Sequence, residues 1–155
     1  MKFSTREDID APMDVVFRNL TNFEYFERQA MRRGAVVQRT DKLSTPGVGM
    51  SWTAKVKYRG RNRKAEIEMI AYAPDEGFAV FSTFSGVQAT TAVELVALSK
   101  SKTRMMVGSE LKPKTLSARV FLQSLKLAKG SLDKRFKRRV GEFAAMIGGG
   151  KAGAA

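Results

Sequence analysis

After Pro113 the chain carries a helical pattern that runs from Leu116 to Ile147. Phe121, Leu125, Ala128 and Leu132 fall on one stripe, and Phe136, Val140, Phe143 and Ile147 continue it. Lys126, Lys134, Lys137 and Arg138 point largely elsewhere. A long helix with one apolar face must bury that face against another element. Gly130 and Gly141 weaken the run, and one of them is the expected position of a bend.

Most of the chain before Pro113 reads as the sheet that supplies this cover. In "SWTAKVKYR", Trp52, Ala54, Val56 and Tyr58 alternate with Thr53, Lys55, Lys57 and Arg59. That is the period of a half-buried strand. "RGRN" then reads as a hairpin turn. The next strand sets Ala65, Ile67, Met69 and Ala71 against Lys64, Glu66 and Glu68, whose carboxylates are expected opposite Lys55 and Lys57. Three more strands follow in "FAVFSTFSG", "VQATTAVELVAL" and "TRMMVGSELKP", with turn-rich breaks between them. Lys2–Asp10, a weak alternation of Phe3, Thr5, Glu7 and Ile9 against Lys2, Ser4, Arg6, Asp8 and Asp10, reads as an edge strand, and Ala35–Asp41 as a short one, for a total of seven.

Two short helices belong between the first two strands. Pro12 is placed in a first helical turn, where its missing N–H costs nothing, with Val16, Phe17 and Leu20 on the apolar side. Asn22 is placed to cap a second helix reaching Met31, with Phe23, Phe26 and Ala30 at helical spacing and Gly34 as its stop. A curved sheet closed by one long helix need not fill the space between them. Any remainder is an apolar cavity of the kind that takes ligands, with the two short helices near an opening.

Strand, "I-x-A-P" and a helix opening on "V-F" occur here as Ile9, Ala11, Pro12, Val16 and Phe17, followed by Asn22 and Tyr25 or Phe26. This opening, with the long last helix, resembles the START-like, helix-grip superfamily, the SRPBCC group that includes polyketide cyclase/dehydrase-like proteins and lipid-transfer domains. The resemblance extends over residues 1–147. It implies an α+β helix-grip fold: a seven-stranded curved antiparallel sheet around a long C-terminal helix, with two short helices between strands 1 and 2. It also implies a pocket for a hydrophobic or amphipathic molecule. It carries no catalytic residue onto this chain, because the superfamily shares none. Residues 148–155, "GGGKAGAA", read as a flexible tail.

Composition narrows the chemistry. The chain has 155 residues, with no cysteine and no histidine. Disulfides, thiolate catalysis and the usual zinc ligands are therefore excluded, as is the usual neutral-pH acid–base group. No calcium loop, phosphate-binding glycine loop or nucleophile elbow occurs, so no metal, cofactor or catalytic residue is assigned. The nearest approach to an acid–base pair is Tyr58 with Glu66 or Glu68. The start "MKFSTREDID" has no apolar core of signal-peptide length, and no spanning run of apolar residues follows. A cytoplasmic protein is expected, with contact at the inner face of a membrane left open.

The aromatic residues Trp52, Tyr58, Phe78, Phe81 and Phe84 of the sheet are candidate cavity walls, with Phe23, Tyr25 and Phe26 near the mouth. Core packing is the plainer account of each. Arg139 falls close to the apolar stripe, either to meet a ligand's acidic head or to reach past the stripe into water. The polar strand residues Glu7, Thr91, Glu94, Arg104 and Glu110 are its candidate companions. With 28 Lys and Arg against 15 Asp and Glu, the net charge is +13. Lys126, Lys134, Lys137 and Arg138 make a basic surface for an anionic membrane, a protein, a nucleic acid or water alone. The expected function is binding or transport of a lipid, quinone or polyketide-like molecule. A cyclase/aromatase-like enzyme and a basic interaction module remain open beside it.

Overall fold

The computed structural model describes residues 1–148. Its elements in order are β1 (Lys2–Ile9), α1 (Met13–Leu20), α2 (Phe23–Arg32), β2 (Val36–Arg39), β3 (Ser51–Tyr58) and β4 (Arg61–Ala73). Then come β5 (Gly77–Phe84), β6 (Val87–Ser99), β7 (Lys102–Pro113), α3 (Leu116–Lys126) and α4 (Lys129–Gly148). The seven strands form one antiparallel sheet in the order β1-β7-β6-β5-β4-β3-β2. This is the helix-grip α+β architecture. Of the expected tail, Gly148 is the buried last residue of α4, and 149–155 lie outside the described residues.

Local chemistry explains most boundaries. β1 is an edge strand that pairs only with β7, and its alternate residues Phe3, Thr5 and Glu7 are half-buried while Ile9 is buried. Pro12 is the N-cap of α1 rather than a residue of its first turn. Thr103, buried in β7, donates its hydroxyl to the Ala11 carbonyl at 2.8 Å and so fixes this corner to the sheet. Asn22 caps α2 by accepting from the Tyr25 N–H at 3.3 Å. The β3–β4 turn is the two residues Arg59 and Gly60, both at positive φ (51° and 76°), whose twist suits a tight hairpin.

Three further expectations are corrected. The two-residue turn sets a register in which Lys55 faces Lys64 and Lys57 faces Asn62. Glu66 and Glu68 instead face Thr53 and Ser51, and Glu66 pairs with Lys64 on its own strand at 3.4 Å. Next, the β4–β5 register slips between Met69 and Ala71. The extra residue, Ile70, is exposed, Ala71 is turned outward, and Tyr72 takes the inner side.

The third correction concerns the long helix, which is broken at Leu127 and Ala128 rather than at Gly130 or Gly141. Its two parts have different partners. α3, capped by Thr115 accepting from Ala118 N–H at 3.1 Å, closes one end of the sheet with Val87, Ala118 and Leu122. α4 crosses β1 closely enough that a Cβ on Gly141 would lie 3.7 Å from the Glu7 carboxylate. One straight helix does not serve both surfaces, so Ala128 is exposed instead of continuing the stripe.

The core forms three clusters rather than one mass. Ile9, Val16, Phe17, Leu95, Met105 and Ile147 anchor the largest, where α1 and the end of α4 meet the sheet. Met50, Trp52 and Met69 form the second, and the α3 cluster is the third. No helix among the described residues is long and apolar enough to cross a membrane.

Candidate binding cavity

Between these clusters lies a cavity of about 540 Å³. The sheet supplies Trp52, Ile67, Phe78, Val80, Val93 and Val107. Helix α2 adds Phe23 and Phe26, and α4 adds Phe136, Val140 and Phe143. The cavity explains two features of the helices. α2 is amphipathic yet has no buried residue, and α4 buries only Ala144, Ile147 and Gly148 at its end. Their apolar sides border open volume, so part of each lining side chain lacks the neighbours of a filled core.

The walls are organised by aromatic contacts. Because Asn22 starts α2 directly before Phe23, that ring reaches the sheet, with its centroid 5.4 Å from Trp52 and 6.0 Å from Phe78. One turn on, Phe26 meets Phe143 at 5.6 Å and joins α2 to α4. The Trp52 indole N–H donates to Glu27 Oε2 at 2.9 Å, tying β3 to α2. The Arg39 guanidinium sits 5.5 Å from the Trp52 ring centroid and is itself held by Asp41. Arg39, then the backbone N–H groups of Ser51 and Leu43, hold the Asp41 carboxyl well below the usual carboxylate range.

Polar groups in the lining are few. Thr91 shares a hydrogen bond with Ser109 at 3.0 Å, and Glu27 is engaged by Trp52. Arg139 also borders the cavity but makes no ion pair among the described residues. It lines, in addition, an adjoining recess between α2 and α4 with Tyr25, Arg33 and Glu142. Arg139 therefore stands where the apolar interior meets the outside.

Five of the sequence-derived candidates meet at this cavity: Phe23, Phe26, Trp52, Phe78 and Arg139. The others lie elsewhere. Tyr25 is in the adjoining recess, its hydroxyl 3.7 Å from Met146 Sδ. Tyr58 and Phe84 pack on one another near the hairpin end, and Tyr58 also meets Phe121 of α3. Phe81 is on the outer sheet face beside Glu66 and Glu68. Those carboxylates are thus across the sheet from Tyr58, which removes the suggested acid–base pair. Of the polar strand residues, Glu7 and Thr91 face inward. Arg104 pairs outside with Asp8 at 2.8 Å, and Glu110 with Lys2 at 3.5 Å. Lys126, Lys134, Lys137 and Arg138 are all exposed.

Aromatic residues alone were an incomplete guide. Val80, Val93 and Val107 alternate correctly for the inner face, and that periodicity was the available signal. For Glu27 the signal was weaker: a buried indole needs an acceptor, but not necessarily this one.

No protein-family model matches the chain, and no curated protein sequence matches it. Solved structures do. The Zhui aromatase/cyclase from Streptomyces sp. R1128 superposes with a TM-score of 0.61 at 11% identity, over 95% of each chain. A Thermus thermophilus protein gives 0.64 at 11% identity, over 93% of this chain and 94% of its own. A START superfamily protein from Mycobacterium smegmatis gives 0.55 at 11% identity, over 86% of this chain and 95% of its own. At such identities the likeness is one of fold, and the chain has the START-like helix-grip fold.

Proposed function

We propose that this protein binds a hydrophobic or amphipathic small molecule, such as a lipid, a quinone or a polyketide-like compound, between its sheet and helices. The observation that carries this reading is the cavity itself. Its size falls within the range of small-molecule sites, its lining is almost wholly apolar, and Arg139 stands at its border. The apolar part of the ligand leaves water and gives the half-buried rings of Phe23 and Phe78 the contacts they lack. Arg139 orients an acidic or polar head. The mechanism is sequestration, for storage or delivery.

A cyclase/aromatase-like reaction is the second reading, favoured by the fold shared with the Zhui aromatase/cyclase. In that case Glu27 is the carboxylate at hand: its Oε2 accepts from Trp52, which leaves Oε1 to move a proton. Native mass spectrometry of the protein extracted without organic solvent tests the binding reading. The expected spectrum carries a small molecule that leaves on denaturation. A bare chain that also fails to take up any of a fatty acid, a quinone and an aromatic polyketide overturns it.

A further inference from the structure

The cavity leaves one end of the molecule unexplained. Helix α3 contributes nothing to the cavity lining, and it is apolar on both sides. Ala118 and Leu122 turn inward. On the opposite side Leu116, Val120 and Leu127 recur at helical spacing and are 78%, 59% and 91% exposed. Nothing among the described residues covers this outward aliphatic stripe.

The charge around the stripe is of one sign. Residues 112–129 hold five Lys or Arg and no Asp or Glu, and residues 55–64 hold six and none. The fold brings these two segments together. Tyr58 meets Phe121 at 6.4 Å, and the Arg59 guanidinium lies over both rings, 5.3 and 5.7 Å from their centroids. Glu66, Glu110 and Asp133, at the borders, are 3.4, 3.8 and 2.8 Å from Lys64, Lys112 and Lys129, so the uncompensated charge among the described residues includes that of Arg59, Arg61, Arg119 and Lys126.

We propose that the outer face of α3, with the β3–β4 hairpin tip beside it, docks on an anionic lipid surface. Leu116, Val120 and Leu127 enter the headgroup–acyl boundary while Arg59, Arg61, Arg119 and Lys126 meet anionic headgroups. Nucleic acid fits less well. Phosphates give the aliphatic stripe nothing, and Arg59 and Arg63 already cover the Tyr58 ring that a base would stack on. Of the basic residues read from the sequence, Lys126 belongs to this surface, while Lys134, Lys137 and Arg138 are on α4. The cationic side that matters is on α3 and the hairpin, joined by Lys126.

Cosedimentation with phosphatidylcholine vesicles, with and without phosphatidylglycerol, tests this on the full chain, beside a labelled DNA duplex. Binding is expected to vesicles containing phosphatidylglycerol, to weaken with salt and to be slight on phosphatidylcholine alone. Leu116→Ser with Leu127→Ser keeps every charge and should weaken vesicle binding at least about tenfold, leaving the circular dichroism spectrum unchanged. Leu127→Ser alone, at the most exposed of the three, serves if the pair disturbs the helix. The proposal fails if both vesicle types bind alike, if the serine variants bind as the native chain does, or if the duplex binds and the vesicles do not. The cavity is untouched by these substitutions, so this failure is separable from failure of ligand binding.

Discussion

Trp52 donates its indole N–H to the Glu27 carboxylate at 2.9 Å, across the gap between the sheet and the second helix. The bond satisfies a buried donor and holds α2 over the cavity. Glu27→Ala should cost about 1–3 kcal/mol, because the indole loses its partner. Glu27→Gln keeps an acceptor and should recover most of that. Urea denaturation followed by fluorescence reads both effects, and the signal is local, since Trp52 is the chain's one tryptophan.

Arg139 is expected to discriminate by ligand charge. Arg139→Leu should weaken binding of an anionic amphiphile about tenfold and leave a neutral one of similar size nearly unchanged. A long-chain fatty acid and its methyl ester, titrated against Trp52 fluorescence, make the comparison. Equal effects on the two would mean that the side chain only covers apolar surface on its way to water.

The Arg39–Asp41 pair gives a pH dependence of defined sign. Asp41 is held below its ordinary value in the folded chain, so the folded state resists protonation there. Its contribution is complete above the unfolded carboxylate's pKa, and it is lost as the pH falls below about 4. The stability of Asp41→Asn should accordingly fall less steeply with acid than that of the native protein. Melting temperatures measured along the acid limb check this.

Two glycines should respond with opposite signs. Gly77 has φ 148°, and a Cβ there would sit 2.0 Å from the Val93 carbonyl oxygen. Gly77→Ala forces β5 from β6 and should destabilise by about 3 kcal/mol or more, beyond the usual range for a single change. Gly130, near the start of α4, has open space around it. Gly130→Ala should stabilise by up to about 1 kcal/mol through helix propensity. Equilibrium denaturation of both variants tests the pair.

What the sequence revealed was what short-range chemistry decides. The alternation from Trp52 to Tyr58, the cap at Asn22 and the turn at Arg59 and Gly60 depend on neighbours along the chain. The bulge at Ile70 does not, because it answers the curvature of the whole sheet. Nor does the break at Leu127, where the apolar stripe continues and only the change of packing partner ends the helix. Within the cavity, Phe23, Phe26, Trp52 and Phe78 could be chosen from the sequence as large inward rings. Tyr58 and Phe84 have the same parity, but α3 covers their end of the sheet. That covering was hidden while α3 and α4 read as one rod.

On the proposed function, the space between the sheet and α2 and α4 takes up an apolar molecule. Titration with anilinonaphthalene sulfonate, an aromatic probe with one anionic group, tests it most directly when paired with Ala54→Phe. Ala54 borders the cavity, and a ring there occupies its volume without leaving the inner face of β3. One saturable site per native chain is expected. Affinity should be at least about tenfold weaker in the filled variant, with no loss of thermal stability. Absence of saturable binding, or equal binding by Ala54→Phe, would contradict it.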